Sequence, residues 1–269
     1  MECDGRDVKF FRFRHVVPDG SHASKVAVPA SEFRRQLELL DRWGYTTVTL
    51  RDIKLAAAGE LYLPKKPVVL TFDRGYREVY DVAYPLLEEY ESTAVVFAAA
   101  DRTIRRATLD REPAIGVSPL LEDRQLLEMH AAGIEIGSHG MTSARLIRLV
   151  PAAAWEEITG ARTSLEQLLG APVISFAYPY QEVTLLLKRL VAEAGYLFAC
   201  GGPSGSSELA ADPYDIRRIE IRRDTGLLGF GLRVLNVYEH LESLKNKSFM
   251  SLSKVGRKRV SVEPEGEGA

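Results

Sequence analysis

Several clusters of chemically capable side chains sit directly after apolar runs. Thr71-Phe72-Asp73-Arg74-Gly75 ends the run beginning at Pro67, Gly137-Ser138-His139 ends the one from Ile134, and Tyr178-Pro179-Tyr180 ends the one from Val173. Arg14-His15 follows residues 8–13, Asp101 follows residues 93–99, and Cys200-Gly201-Gly202 closes residues 196–200. An acid, a histidine and tyrosines converging at one rim suit proton transfer or metal-assisted hydrolysis. Asp73 reads as a functional acid, with a cap on a helix starting near Tyr76 as the plain alternative. His139, Tyr178 and Tyr180 read as lining the site, with ordinary burial as the alternative. His15 and Arg14 fit the rim or a turn equally well. Cys200 has no base beside it in sequence and reads as a small buried residue. His22, His130 and His240 read as structural or exposed.

The spacing supplies elements that bring these clusters together. Helix-period stretches at 33–43, 120–132, 161–169 and 185–194 each end in a glycine and lead into an apolar run at 45–50, 134–137, 173–178 and 196–200. A fifth copy, 76–90 into 93–99, carries Glu91-Ser92 at the turn. Glycine there permits the left-handed backbone that ends a helix. Near-continuous apolar runs such as Pro67-Val68-Val69-Leu70-Thr71-Phe72 suit strands covered on both faces. The expectation is an α/β fold of parallel βα units with its chemistry at the strand carboxyl ends. Residues 1–7 read as a frayed terminus, 8–247 as the folded domain and 248–269 as a flexible charged tail. Nucleic-acid contact through Arg257-Lys258-Arg259 is the lesser reading of that tail.

Composition removes other classes. The 269 residues hold 35 basic and 37 acidic side chains, without the basic excess of a nucleic-acid binder. Cys3 and Cys200 cannot build a disulfide framework or a cysteine-rich zinc site. No apolar run approaches the roughly 18–20 residues of a membrane span, and the first residues lack the apolar core of a signal peptide. A soluble cytoplasmic protein is expected; no oligomeric state is legible.

The phrases Thr71-Phe72-Asp73-Arg74-Gly75-Tyr76, Glu135-Ile136-Gly137-Ser138-His139 and Phe176-Ala177-Tyr178-Pro179-Tyr180, in this order and spacing, resemble the NodB-type polysaccharide deacetylases. Tyr84-Pro85-Leu86-Leu87, Ala194-Gly195-Tyr196 and Phe13-Arg14-His15-Val16 extend the resemblance over residues 8–235. It implies a distorted (β/α) barrel, hydrolysis of sugar N-acetyl groups and a zinc or similar divalent ion. It assigns Asp73 as general base, His139 as a metal ligand, and the backbone around Tyr180 as an oxyanion site. Arg74, Tyr178, Pro179, Tyr180 and His15 become candidate contacts to a carbohydrate.

The same resemblance locates departures. The family has a second aspartate ligand where this chain has Arg74, a second histidine ligand where it has Ser143, and frequently glycine where it has Gln181. A guanidinium has no lone pair to donate, and a neutral hydroxyl replaces imidazole poorly. At about 4 Å and an effective dielectric near 20, a guanidinium would repel a divalent ion by roughly 8 kcal/mol, twice the unit-charge value. No cofactor is therefore expected unless a metal site is rebuilt from side chains such as His15 or Asp101. Three roles are open to Arg74: a salt bridge to Asp73, which is favoured, an anchor for an anionic substrate, or a solvated charge. The expected protein binds or acts on N-acetylated carbohydrate with hydrolysis weak or absent. The alternatives are an active hydrolase using rebuilt-metal or metal-free, allantoinase-like chemistry, and a non-catalytic glycan-assembly scaffold.

Overall fold

Parallel strands and covering helices alternate through the computed structural model, which describes residues 8–21, 24–101, 103, 106–108, 117–205 and 212–235. In chain order the elements are β1 (Lys9–Phe13), β2 (His15–Val17), β3 (Ala27–Pro29), α1 (Ala30–Arg42), β4 (Thr46–Thr47), α2 (Leu50–Ala57) and β5 (Pro67–Arg74). Then come α3 (Tyr84–Glu89), β6 (Val95–Ala98), β7 (Arg106–Thr108), β8 (Val117–Pro119), α4 (Asp123–Ala131), β9 (Glu135–Ser138) and α5 (Pro151–Leu169). The series ends with β10 (Ser175–Ala177), α6 (Leu185–Glu193), β11 (Phe198–Cys200), β12 (Ile219–Ile221) and α7 (Gly226–Val234).

The main sheet runs β11-β10-β9-β6-β5-β1-β12, with β4 also paired to β5. All its pairings are parallel. Its outer strands are joined through the segment leading into β12: Ile216 N–H donates to the Ala199 carbonyl (2.9 Å) and Gly201 N–H to the Ile216 carbonyl (3.0 Å). The sheet thus curls into the distorted (β/α) barrel expected.

The repeated helix endings form as the spacing predicts. Gly44, Gly133, Gly170 and Gly195 take φ between 63° and 91°, and Glu91 adopts the same hand at 47° without glycine's freedom. One predicted strand differs: of residues 45–50 only Thr46–Thr47 pair, because Thr49 and Asp52 form a capping box that starts α2 at Leu50. Leu50 and Ile53 of this helix pack with Val8, Phe10, Val69, Val95 and Phe198 in one apolar cluster. Glu135 ties the helix down, since its carboxylate accepts from the Arg51 N–H (2.7 Å) and the Ser175 hydroxyl (2.6 Å).

The chain divides into two units, residues 1–227 and 228–269. In the described part of the second, Arg233 Nη1 donates to the Gly229 carbonyl (3.0 Å). The expected frayed terminus at 1–7, the tail at 248–269, and His22 and His240 lie outside the described residues. Among the described residues no helix is long and apolar enough to cross a membrane.

Close strand packing generates a test. A Cβ at Gly137 would stand 2.6 Å from both the Phe97 ring and the Ser175 Oγ. Gly137→Ala should therefore lower stability by about 1–3 kcal/mol through overpacking, read as a reduced urea midpoint at unchanged slope.

Candidate functional site

Strand register builds the site. Arg12 lies beside Thr71 of β5 on one side and beside Glu220 of β12 on the other. Side chains two apart on a strand share a face, so Asp73 joins the row through Thr71 and Arg218 joins it through Glu220. Arg218 grips Asp73 with both terminal nitrogens, Nη1 to Oδ1 at 2.6 Å and Nη2 to Oδ2 at 3.1 Å. It also donates to Thr71 Oγ1 (3.1 Å) and lies over the Phe97 ring. Arg12 Nη1 stands 3.6 Å from Asp73 Oδ2, and Arg12 Nη2 donates to Glu220 (2.6 Å), which Arg14 also meets at 3.2 Å. These groups are inside the protein: Arg218 is 1%, Arg12 3% and Asp73 7% exposed. A charge buried this deeply persists only when paired and hydrogen-bonded.

Burial alone would raise the Asp73 carboxyl, but the charges of Arg218 and Arg12, with the Arg218 hydrogen bonds, hold it well below the usual carboxylate range. Burial pushes His139 down to about 3; Asp73 opposes that fall, while Arg74 and Arg218 deepen it. His139 is therefore a neutral imidazole at ordinary pH, its Nδ1 3.1 Å from Ser143 Oγ. Asp73 stays ionised but is a weak base, since general-base efficiency favours a pKa near the working pH.

Arg74 does not take the place favoured for it. The carboxylate goes to Arg218 and Arg12. Arg74 instead donates from Nη1 to the Tyr76 hydroxyl (3.3 Å) and lies 5.3 Å from the Tyr180 ring centre. Arg145 lies 5.3 Å from the same ring and pairs with Glu182, Nε to Oε2 at 2.6 Å. Arg74, Ser143, Tyr180 and Gln181 all carry φ between 59° and 71°, a backbone state costing of order 1–3 kcal/mol per residue outside glycine.

The other predicted residues separate. Tyr180 is half-buried at the site, whereas Pro179 and Tyr178 are buried and the Tyr178 hydroxyl donates to the Tyr214 carbonyl (3.1 Å). His15 is fully buried in β2, paired through Nδ1 with Glu78, its ring centre 4.4 Å from that of Tyr76 and tilted by 31°. Its burial removes it from the open rim where a substrate contact was expected. Cys200 is fully buried, and burial pushes its thiol up to about 12.

Sequence reasoning missed Arg12, Arg218, Glu220 and the use made of Gln181. With its amide oriented so that nitrogen donates to the Gly202 carbonyl (3.2 Å), Gln181 accepts from both terminal nitrogens of Arg12 (2.7 and 3.0 Å). Glycine there could not supply that acceptor. The available signal was an arginine among the phenylalanines of β1, since a charge on an apolar strand demands a partner.

The donors present do not fit a catalytic zinc. Such a site takes three protein ligands and an open position. Here Asp73 is clamped by arginine, and Arg74 and Ser143 offer a guanidinium and a hydroxyl. Among the described residues no group of three His, Cys, Asp or Glu side chains is placed to hold a metal. Of the side chains considered for a rebuilt site, His15 pairs with Glu78 through Nδ1 while its Nε2 is buried without a hydrogen-bond partner, and Asp101 accepts from the Thr103 N–H (2.8 Å) and hydroxyl (2.7 Å).

Comparison with known proteins places this fold. Residues 61–199 match the family model described as Polysaccharide deacetylase, and the chain belongs to that family. It is 25% identical over 228 residues to YxkH of Bacillus subtilis (strain 168), provisionally named a polysaccharide deacetylase, covering 84% of this chain and 74% of that protein. A 70-residue stretch is 39% identical to the Escherichia coli (strain K12) poly-beta-1,6-N-acetyl-D-glucosamine N-deacetylase, 26% of this chain and 10% of that one. The Streptococcus pyogenes deacetylase PplD, solved with acetate, shares the fold at TM-score 0.70 and 22% identity, over 83% of this chain and 95% of its own.

Three measurements check the electrostatics. Removing Arg218 by Arg218→Met strands a buried carboxylate and should cost about 3–5 kcal/mol. Asp73 has a depressed folded value, so its stabilisation is complete above its ordinary 3.8 and is lost as pH falls below it. The thermal midpoint should therefore decline below about pH 4, and Asp73→Asn, less stable at neutral pH, should decline less steeply there. By NMR the His139 ring should show no protonation step between neutral pH and about pH 4.5, against an ordinary histidine near 6.5.

Proposed function

We propose that this member of the polysaccharide deacetylase family binds N-acetylated carbohydrate at the strand-end rim and hydrolyses it weakly or not at all. The observation that carries the reading is the double grip of Arg218 on Asp73, the carboxylate that the family resemblance assigns as base. A base whose lone pairs are committed to a buried guanidinium has little drive to take a proton from water. With Arg74 and Ser143 in the ligand positions, neither the ion's Lewis acidity nor its low-pKa water is available. General-base catalysis by itself contributes about 100- to 10,000-fold, small against an amide barrier. Tyr180, half-buried and ringed by arginines, is the surface on which a sugar face would rest. A cytoplasmic binding or scaffold role in glycan assembly, with residues 8–247 as the working domain, belongs to the same proposal.

Metal analysis of the purified protein, with assays on acetylated chito-oligosaccharides under added zinc, cobalt or manganese, tests it. The expected result is metal well below one equivalent and no release of acetate that depends on Asp73. Stoichiometric metal, or turnover that Asp73→Ala abolishes, would overturn it. Arg74→Asp combined with Ser143→His should gain zinc binding by calorimetry. A variant that folds and still takes no zinc would mean that these positions do not converge as ligands.

A further inference from the structure

Two segments at the strand-end rim carry aliphatic side chains that the fold does not bury. β9 and β10 are parallel neighbours, so the segments that follow them emerge side by side at the same end of the sheet. One leads into α5 and the other into α6, and these helices pack together. On the first segment Ile147 is 45% and Val150 67% exposed; on the second Leu185 is 77% and Leu186 48% exposed. Arg148 is the one charged side chain in residues 147–153, and residues 183–187 hold none. Scattered exposed aliphatics are ordinary, whereas an apolar patch gathered beside a site marks something that covers it.

Local structure gains nothing from these residues. Val150 is the N-cap of α5 and makes no side-chain cap bond, at a position where Ser, Thr, Asp or Asn would satisfy a free N–H. Leu185 and Leu186 open the first turn of α6, where the helix dipole favours acidic side chains. Three positions that polar residues would serve better are held by groups that water disfavours.

The patch continues the surface proposed for the sugar. Arg145, just ahead of Ile147, lies over the Tyr180 ring at 5.3 Å and pairs with Glu182 of the second segment, Nε to Oε2 at 2.6 Å. A saccharide presents hydroxyls and amides, which find no partner among aliphatic side chains. A second copy of this chain seated on the patch would crowd Tyr180. An apolar chain joined to the sugar fills the patch and leaves the sugar its place.

We infer that the saccharide taken by this rim is lipid-linked, its acyl or prenyl chain lying over Ile147, Val150, Leu185 and Leu186. The inference rests on the carbohydrate-binding reading above and names the class of saccharide.

Isothermal titration of the full chain tests it with three probes, each below its micelle concentration: the methyl and octyl glycosides of an N-acetylglucosamine trimer, and octyl cellotrioside, which lacks the N-acetyl groups. The octyl glycoside should bind about tenfold or more tightly than the methyl one, because its chain leaves water. Val150→Ser with Leu185→Ser should erase that advantage and leave methyl-glycoside binding and the thermal midpoint as high as before or higher. If this variant does not fold, the wild-type comparison of methyl with octyl decides alone. Equal binding of the two glycosides, an octyl advantage that survives the variant, or a wild-type dimer that the variant dissociates would overturn this inference and leave the carbohydrate reading standing. Octyl cellotrioside bound as tightly as the octyl N-acetylglucosamine probe, or no probe bound at all, would overturn both.

Discussion

One buried carboxylate organises the rim of this barrel. Bringing Asp73 out of water costs several kcal/mol even after relaxation, and the protein offsets that with two guanidiniums, one from the neighbouring β1 and one from the residue that enters β12. Arg218 can reach Asp73 only if β12 sits beside β1 in the observed register, and Arg12 only if β1 sits beside β5. The ion pair therefore depends on barrel assembly. It also constrains assembly, since a one-residue slip would turn these side chains to the opposite face.

That arrangement explains the neighbouring chemistry. His139 shares its surroundings with Asp73, Arg74 and Arg218, and buried among mostly positive groups it cannot gain a proton of its own. It turns instead to the Ser143 hydroxyl. Gln181 enters the same network by accepting from Arg12, so a position that glycine frequently fills in the family has become part of the charge bookkeeping. The chain keeps the scaffold of the family, and function resides in the side chains that a fold presents, not in the fold itself. Val69, Phe97 and Phe198 belong to one buried apolar cluster of the barrel.

Much of the fold was legible from residue order. Glycines after helix-period stretches marked helix ends, and the structure places Gly44, Gly133, Gly170 and Gly195 there. The boundary near Leu50 was misread because a capping box outweighs the apolar character of the run. His15 was misjudged because a histidine at a strand end looks the same whether it faces solvent or Glu78. Tyr178 and Tyr180 are two residues apart, yet one packs inward against Tyr214 and the other lies between two arginines.

The sequence by itself determined the βα succession, the loops that share one rim, and the kind of donor that Arg74 and Ser143 can offer, because hydrogen-bonding capacity and helix-ending propensity belong to individual side chains and their near neighbours. Only the tertiary structure decided the partner of Asp73. The obvious candidate was one residue away, and the actual one lies 145 residues further along. Register across neighbouring strands brings remote side chains together, and no local pattern encodes that register.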